Sequence, residues 1–449
     1  MKVLIKNIGK IKEAEIDLNN QLTVFFGPNN TGKTYISYCL YGLGKGQPFG
    51  NSIKSISNYI NNSFDDLFSN GNIQINLKEA FSNKREYLRS KFIESFREFL
   101  PQLFGNYTSD FSQSIVVPSL FENQVEFDEY LDKLSFGNAT SVFGQNNNSV
   151  RYTSKPGGVV EIQINPNAVF NLENRPNVVD SIKLILTQFT FSFNLNSKFF
   201  IPAERIGIAS FGKELVLNRF SKTNFPTKNN EFISYSLVIN DAIQQQFQIA
   251  NLQNRQGSEK FITLANEIEN EILSGKLIIN ETGDVFYDYG NNDRTNISIL
   301  NTASTIKSLS SLVFYLRYYA YRGQTLFIDE PEANLHPDNQ RKIARKLVKL
   351  SNLGINVFIS THSDYIIREI NIMIMLSKQS AQIDDLIEKF KISKEEKISS
   401  SKVGVYFFNN NKAAKINVSD TGFDATTIDE TILDQNQALN EIRWTLFED

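Results

Sequence analysis

A glycine-rich segment near the start of the chain contains the residue types that hold a polyphosphate. It reads Gly27-Pro28-Asn29-Asn30-Thr31-Gly32-Lys33-Thr34 and fits the pattern G-x-x-x-x-G-K-[ST] without a mismatch. Glycines at its two fixed positions let the backbone turn tightly and point its N–H groups at phosphate oxygens. We expect Lys33 to reach the β- and γ-phosphates and the Thr34 hydroxyl to ligate Mg²⁺. The segment therefore predicts nucleotide binding, and a chance glycine turn before a helix is the alternative.

Two adjacent carboxylates follow an apolar run in the last third of the chain. The run Thr325–Ile328 ends in Asp329-Glu330-Pro331-Glu332. If the run is a buried strand, these acids lie at its carboxyl end, where open α/β sheets bind their ligands. We expect Asp329 to hold Mg²⁺, directly or through water, and Glu330 to polarise the water that attacks the γ-phosphate. A solvated acidic turn is the alternative.

Both histidines of the chain also fall in this region. His336 stands in Asn334-Leu335-His336-Pro337, and His362 follows the apolar stretch Ile355–Ile359. Because His362 would lie at the carboxyl end of another core strand, we expect its imidazole to contact the γ-phosphate. A metal site would need further histidine or cysteine ligands, and none stand near either residue.

The elements that must position these groups follow from the hydrophobic periodicity. Alternation over Lys2–Asp17 predicts a hairpin, and the glycine-rich segment lies between an apolar strand, Leu22–Phe26, and a helix from Lys33 to about Leu43. Further strands are predicted at Lys198–Ile201, Thr325–Ile328 and Ile355–Ser360, with helices at Ser304–Tyr321 and Asp338–Leu350. Strands that alternate with helices predict an α/β fold with a largely parallel sheet covered on both faces.

The composition divides the chain into core segments and insertions. The core segments are 1–44, 198–229 with the Glu204-Arg205 turn, and 276–376. Between and after them lie a mainly helical insertion at 45–197, a helical arm at 230–275 and a tail subdomain at 377–449. The arm is too short and too irregular in its heptads for a long coiled coil.

Charge and cysteine content restrict the possible partners and compartment. The 449 residues carry a formal net charge of -3, so no global basic field is available to bind a polyanion. The single cysteine, Cys39, and the charged N-terminal segment indicate a cytoplasmic protein without a signal peptide. The most apolar run, from Ile366, is interrupted by Arg368 and Glu369 and is shorter than the roughly 20 residues of a spanning helix. No membrane partner is expected.

The segments GPNNTGKT, LFIDEPEANLHP and VFISTHSDY resemble the Walker A, Walker B, D-loop and H-loop series of ABC-type ATPases. Within that class the sequence is similar to the AAA_15/AAA_21 branch, which is related to the overcoming-lysogenization-defect family and to SMC- and RecF-like ATPases. The resemblance covers residues 1–44 and about 198–376. It implies a P-loop NTPase head of the ABC type, with a mixed or parallel core sheet, N-terminal antiparallel strands, helical insertions, and ATP and Mg²⁺ as ligands.

In such families the signature motif of one subunit caps the ATP held by the other. The segment Thr302–Leu309 is similar to the serine-rich signature of this branch, although it lacks glycine. The resemblance implies that Ser304, with Asn334 and His336 of the D-loop, contacts the partner's ATP in a homodimer or higher homo-oligomer. An ordinary helix cap is the alternative for Ser304. Arg205 stands where the family has its Q-loop, and we assign it to the nucleotide or interface neighbourhood or to a structural salt bridge.

Two functions are compatible with these patterns. The first is a conformational ATPase switch or scaffold that controls a separate effector protein in bacterial antiphage defence or toxin control. The second is a DNA-repair or recombination ATPase that binds DNA directly. No cluster of spaced acids follows His362, so an intrinsic Toprim nuclease of the overcoming-lysogenization-defect type is not expected. The acidic balance and the absence of a long coiled-coil pattern favour the first function.

Overall fold

The computed structural model describes residues 1–43, 45, 58–81, 83–106, 109–134, 138–142, 149–165, 168, 175–191, 197–212, 214, 235–248, 257–290, 296–378, 380, 382–424 and 437–444. The strands are β1 (Lys2–Ile8), β2 (Ile11–Asp17), β3 (Leu22–Phe26), β4 (Asn72–Asn76), β5 (Ile115–Pro118), β6 (Ala139–Val142), β7 (Ser149–Lys155), β8 (Val159–Ile164), β9 (Lys198–Ile201), β10 (Lys276–Ile279), β11 (Val285–Asp288), β12 (Ile297–Ser298), β13 (Thr325–Asp329), β14 (Asn356–Thr361), β15 (Val403–Asn409) and β16 (Lys412–Ile416).

The helices are α1 (Lys33–Gly42), α2 (Asn58–Asn70), α3 (Leu77–Ala80), α4 (Arg85–Phe104), α5 (Gln124–Lys133), α6 (Arg175–Phe191), α7 (Leu237–Phe247), α8 (Glu259–Ile268), α9 (Ser304–Phe314), α10 (Pro337–Asn352), α11 (Asp364–Met375) and α12 (Ile383–Lys389). Residues 205–212 and 437–444 are also helical. Within these described ranges, no helix is long and apolar enough to span a bilayer.

One nine-stranded sheet forms the centre of the fold, in the order β5-β1-β2-β16-β15-β3-β14-β13-β9. The strands β15, β3, β14, β13 and β9 run parallel to one another. The hairpin β1–β2 and strand β5 are antiparallel and extend the sheet on the other side. The predicted α/β class with a mixed core sheet and N-terminal antiparallel strands is therefore confirmed.

A row of aromatic side chains crosses the five parallel strands on one face of the sheet. The row consists of Phe200, Phe327, Phe358, Phe25 and Tyr406, with ring centroids 5.7, 4.9, 6.2 and 5.8 Å apart. Smaller aliphatic side chains alternate with these rings and enter the core on the opposite face: Val24, Ile328, Ile359 and Val405. Because aromatic pairs add about 0.5–1.5 kcal/mol each beyond burial, the row fixes the register of the strands whose ends carry the site.

The last two strands belong to this sheet. The sequence pattern assigns them to a tail subdomain, 377–449, whereas β15 pairs with β3 and β16 pairs with β2. The Tyr406 hydroxyl also accepts a hydrogen bond from the Asp17 backbone at 2.8 Å. The strand that leads to the glycine-rich segment is thus enclosed between β14 and β15.

The insertion contains more strand than its sequence pattern suggests. Besides helices, 45–197 contains an antiparallel sheet in the order β4-β8-β7-β6, and its strand β5 joins the central sheet. These strands are short, and pairings such as that of β4 with β8 join segments far apart in the chain, so no local pattern specifies the sheet. Strands β10, β11 and β12 form a third sheet, which follows helix α8.

Lys198 anchors the carboxyl end of helix α1. Its buried ammonium, at the start of β9, donates to the carbonyls of Leu40 and Tyr41 at 2.7 and 3.2 Å, and to that of Leu43. Burial lowers the pKa of Lys198 well below its usual value. A donor at this helix end satisfies carbonyls that have no partner inside the helix.

Gly27→Ala tests how tightly the tail strand encloses the glycine-rich segment. A Cβ at Gly27 would lie 2.3 Å from the Phe408 carbonyl oxygen, and the φ of Gly27 is +135°. At Gly71, where φ is +76°, a Cβ would meet nothing within 4 Å. Gly71→Ala should therefore cost only the strain of a left-handed residue, about 1–2 kcal/mol. We expect Gly27→Ala to lower the free energy of unfolding further, as measured in urea. Equal decreases in the free energy of unfolding for the two variants would mean that β15 can shift away from Gly27 at little cost.

Candidate nucleotide site

The glycine-rich segment forms a tight loop between β3 and α1. Gly27, Asn30 and Gly32 have φ values of +135°, +61° and +98°. A Cβ at Gly32 would lie 2.6 Å from Ile11 Cγ1, so the hairpin leaves room only for glycine. Gly32 is also the N-cap of α1 and provides no side chain to bind the first N–H groups of the helix. Those N–H groups and the positive end of the helix dipole are left for an anion.

Lys33 folds back over this loop. Its ammonium donates to the carbonyls of Gly27 and Pro28 at 3.0 and 2.8 Å, and the residue is 5% exposed. Pro28 also accepts from the Thr31 hydroxyl at 2.8 Å, while Asn29 and Asn30 are exposed at the tip. Burial lowers the pKa of Lys33 to about 8, although nearby carboxylates oppose the shift. The site therefore holds a desolvated ammonium bound by carbonyls, and a polyphosphate would favour its charged form.

Asp329 lies at the end of β13, between hydroxyls from two other elements. The Thr34 hydroxyl donates to its Oδ2 at 2.9 Å, and the Ser360 hydroxyl donates to its Oδ1. Burial raises the pKa of Asp329, and the two hydroxyl donors act in the opposite direction. The parallel register, which pairs Asp329 with Ser360, brings these groups together.

The Thr34 hydroxyl and the Asp329 carboxylate fit a magnesium ion, which prefers oxygen ligands and keeps several waters or substrate oxygens in its shell. Elsewhere in the described segments, no group of three histidines, cysteines or acids could hold a metal. The donor set thus fits an ion whose remaining ligands are phosphates and water.

Glu330 has a backbone conformation that is rare for residues other than glycine. Its φ is +48°, and its N–H donates to the Ser360 carbonyl at 2.9 Å. The next acid, Glu332, accepts the His362 backbone N–H at 2.7 Å, and burial raises the pKa of Glu332. Sequence reasoning gave Glu332 no role of its own. The only sequence feature that pointed to Glu332 was its position two residues after Glu330.

The His362 imidazole lies beside the loop, as its position after β14 predicts. Burial lowers its pKa to about 4, helped by the positive charge of Lys33 and opposed by a backbone contact with Gly27. At neutral pH the imidazole is uncharged. It can therefore hydrogen-bond a phosphate oxygen without bringing a second buried cation next to Lys33.

Arg205 is 2% exposed and binds backbone carbonyls. Its Nη1 donates to the Asp329 carbonyl at 2.8 Å, and its Nη2 donates to the Glu330 carbonyl at 2.7 Å. Its Nε reaches the carbonyl and hydroxyl oxygens of Ser308, each at 3.0 Å. Among the described residues its hydrogen-bond partners are thus uncharged groups, two of them at Asp329 and Glu330, and none of these contacts is the salt bridge that the sequence offers as an alternative.

The signature-like residues lie on a surface next to the D-loop. Ser304 is exposed at the first position of α9, and the N-cap is Ala303, so Ser304 is not the cap. The Thr305 hydroxyl donates to the Asn334 carbonyl at 2.9 Å, and Asn334 itself is exposed. His336 is exposed and caps α10, where its Nδ1 accepts the Asp338 N–H at 3.4 Å. No described hydrogen bond joins Ser304, Asn334 or His336 to the phosphate loop of the same chain.

A comparison with protein families covers most of the chain. Residues 1–367 match the family model AAA_15, an AAA ATPase domain. None of the curated proteins compared with the chain matches it.

Several SMC head structures are similar at low identity. The SmcHead bound to the C-winged helix domain of ScpA has a TM-score of 0.34 and 12% identity, and 93% of this chain and 97% of that chain are covered. The Smc head with an extended coiled coil bound to the C-terminal domain of ScpA, derived from Pyrococcus furiosus, has a TM-score of 0.31, 12% identity and coverages of 97% and 98%. The SMC head domain from Thermotoga maritima has a TM-score of 0.29, 11% identity and coverages of 93% and 98%.

The lowered pKa of His362 predicts how acid affects stability. The pKa of His362 is about 4 in the folded chain, and its ordinary value is 6.5. Between these pH values His362 is therefore protonated in the unfolded chain and neutral in the folded chain. The stability that His362 contributes above pH 6.5 is therefore lost as the pH falls toward 4. We expect the free energy of unfolding in urea to fall more between pH 7 and pH 5 in the wild type than in His362→Gln. Equal falls would show that the imidazole titrates normally.

Proposed function

Because the chain belongs to the AAA_15 family of AAA ATPase domains, we propose that it binds ATP with Mg²⁺ and hydrolyses it between two copies of the chain. The main support is the hydrogen bond from Thr34 to Asp329 at 2.9 Å, which places a hydroxyl and a carboxylate beside the buried Lys33. Phosphoryl transfer in P-loop enzymes needs a lysine on the phosphates, a hydroxyl that ligates Mg²⁺ and an acid from a neighbouring strand, and Lys33, Thr34 and Asp329 provide these groups.

Each side chain has a defined task in this mechanism. Lys33 binds the β- and γ-phosphates, and Thr34 and Asp329 hold Mg²⁺. When bound, the ion neutralises charge that develops on the phosphates. Glu330, the first acid after Asp329, orients and polarises the attacking water. The neutral imidazole of His362 donates to the γ-phosphate.

The site is completed by a second chain. Ser304, Asn334 and His336 are exposed on one surface, and none has a described hydrogen bond to the phosphate loop of its own chain. A two-fold axis would place this surface of each chain over the ATP of the other chain. Two identical sites would then close at the same time. ATP then forms part of the interface, and loss of the γ-phosphate releases it. Higher assemblies of such dimers are compatible with this arrangement.

We assign this switch to the control of a separate effector protein in antiphage defence or toxin control, rather than to direct action on DNA. Helix α10 is basic, but its charges are paired with carboxylates. The pairs are Arg341–Glu369, Arg345–Glu369, Lys342–Asp338, Lys346–Glu267 and Lys349–Glu267, at 2.5–3.0 Å. A DNA phosphate would have to displace these acids, so the helix offers little free positive charge.

Duplex DNA distinguishes the two functions. Fluorescence anisotropy of a labelled duplex with the purified chain, at about 50 and 200 mM salt with and without ATP, should show no binding that weakens steeply with salt. Tight binding with a steep salt dependence would favour the DNA-repair function.

Glu330→Gln and Lys33→Ala separate hydrolysis from binding. Lys33→Ala removes the cation of the loop and should abolish ATP binding, measured with a fluorescent ATP analogue. Glu330→Gln leaves Lys33, Thr34 and Asp329 in place, so ATP should still bind while turnover falls by about two orders of magnitude.

Light scattering on the same variants tests the shared site. In Glu330→Gln, ATP should strengthen self-association and ADP should not, and Lys33→Ala is the control that cannot respond. A single monomeric mass with ATP, with ADP and without nucleotide, together with normal hydrolysis at low protein concentration, would rule out closure by two chains.

A further inference from the structure

Arg205 connects three elements of the site from a buried position. Its two Nη atoms donate to the carbonyls that follow β13, and its Nε donates to Ser308 on α9. Its Nη1 also reaches the Pro202 carbonyl at 3.2 Å, in the turn after β9. The planar guanidinium therefore links the acid loop, Asp329–Glu332, and helix α9 at fixed relative positions.

At the acid loop, Arg205 holds two consecutive peptide groups. The distances from the guanidinium to the carbonyls of Asp329 and Glu330 are 2.8 and 2.7 Å. Glu330 has φ +48°, a conformation that residues with a Cβ adopt only when their surroundings impose it. The planar fork of Arg205 is well placed to impose it, because its donors have fixed directions toward the two carbonyls, whereas a lysine ammonium would not fix their orientation.

On its Nε side, Arg205 contacts helix α9 through Ser308. Ser308 lies one helical turn after Ser304, the exposed residue at the start of α9. The Ser308 hydroxyl accepts from Arg205 Nε and donates to the Ala333 carbonyl at 2.9 Å. A shift of the helix start would therefore move the oxygen atoms that Arg205 binds.

We propose that Arg205 is a positioning residue that couples the two nucleotide sites of the dimer. This inference rests on the proposed function. Contact of Ser304 with the partner's ATP moves α9, and the Ser308 hydroxyl and Arg205 pass this movement to the peptide that carries Glu330. Each chain then reaches full hydrolytic activity only when the site of its partner holds ATP. Wild-type turnover consequently rises with ATP concentration with a Hill coefficient above 1.

Two variants break the link at different points, and a third controls for the loss of a buried guanidinium. Arg205→Lys keeps the charge but loses the fork. Ser308→Ala keeps the fork on Asp329 and Glu330 and removes the hydroxyl contact with α9. In the control, Arg317→Lys, the arginine lies in the helical turn Tyr315–Tyr319 that directly follows α9. It donates to the Leu277 carbonyl at 2.9 Å and pairs with Glu269. Arg317 has no described hydrogen bond to the site.

The measurements are ATP affinity, turnover against ATP concentration and thermal unfolding. We expect Arg205→Lys to bind ATP within about threefold of the wild type, while turnover falls at least about tenfold, because small displacements of a catalytic group have effects of this size. In both Arg205→Lys and Ser308→Ala the Hill coefficient should fall to 1, and the double variant should show no further loss of cooperativity. Arg317→Lys should keep the wild-type Hill coefficient.

Other results would overturn the coupling. If Ser308→Ala keeps the wild-type Hill coefficient, the Ser308 hydroxyl does not pass the movement of α9 to Arg205, and the proposed link is wrong even if Arg205→Lys fails to fold. A wild-type chain that hydrolyses ATP and self-associates with a Hill coefficient of 1 would refute the coupling and leave the proposed function intact. A wild-type chain that neither binds nor hydrolyses ATP would refute the proposed function itself.

Discussion

The position of the Asp329 carboxylate depends on the pairing of three parallel strands. The register of β13 with β14 sets Asp329 opposite Ser360, and β14 pairs with β3, which leads into the phosphate loop. Thr34 and Ser360 therefore donate to the same carboxylate although they are far apart in the chain. Because side chains alternate between faces, a slip of one residue would turn Asp329 away from both hydroxyls. The aromatic row across these strands opposes such a slip.

Two buried basic side chains near this carboxylate are hydrogen-bonded to carbonyl groups. Lys33 binds two carbonyls of its own loop, and Arg205 binds the carbonyls of Asp329 and Glu330. A buried charge is costly unless it is hydrogen-bonded, and carbonyl dipoles provide the hydrogen bonds without cancelling the charge. The positive charge of Lys33 thus remains available to a polyphosphate, which would not hold if a carboxylate were its permanent partner.

Features carried by short contiguous segments were predictable from the sequence. The loop from Gly27 to Thr34, the acids after β13 and the histidine after β14 all lie where hydrophobic runs end, and the AAA_15 resemblance that they carry is confirmed. Features that depend on pairing between distant segments were not predictable. Nothing in the residues of strands β15 and β16 specifies their insertion between β3 and β2, since strand pairing depends on the whole fold.

The contacts of Arg205 show why part of the site has no sequence signature. Its partners at the acid loop are backbone carbonyls, which every residue possesses, so no side-chain pattern at Asp329 or Glu330 reveals the arginine. The turn that carries Arg205 stands where the resembled families have their Q-loop. This chain has no glutamine there, so the family pattern assigned no role to the turn. A guanidinium has five donors in one plane, and it can therefore join several carbonyls that a glutamine amide could not reach together. The chain thus retains a physical connection between the turn after β9, the acid loop and α9 without the side chain that the family pattern leads one to expect.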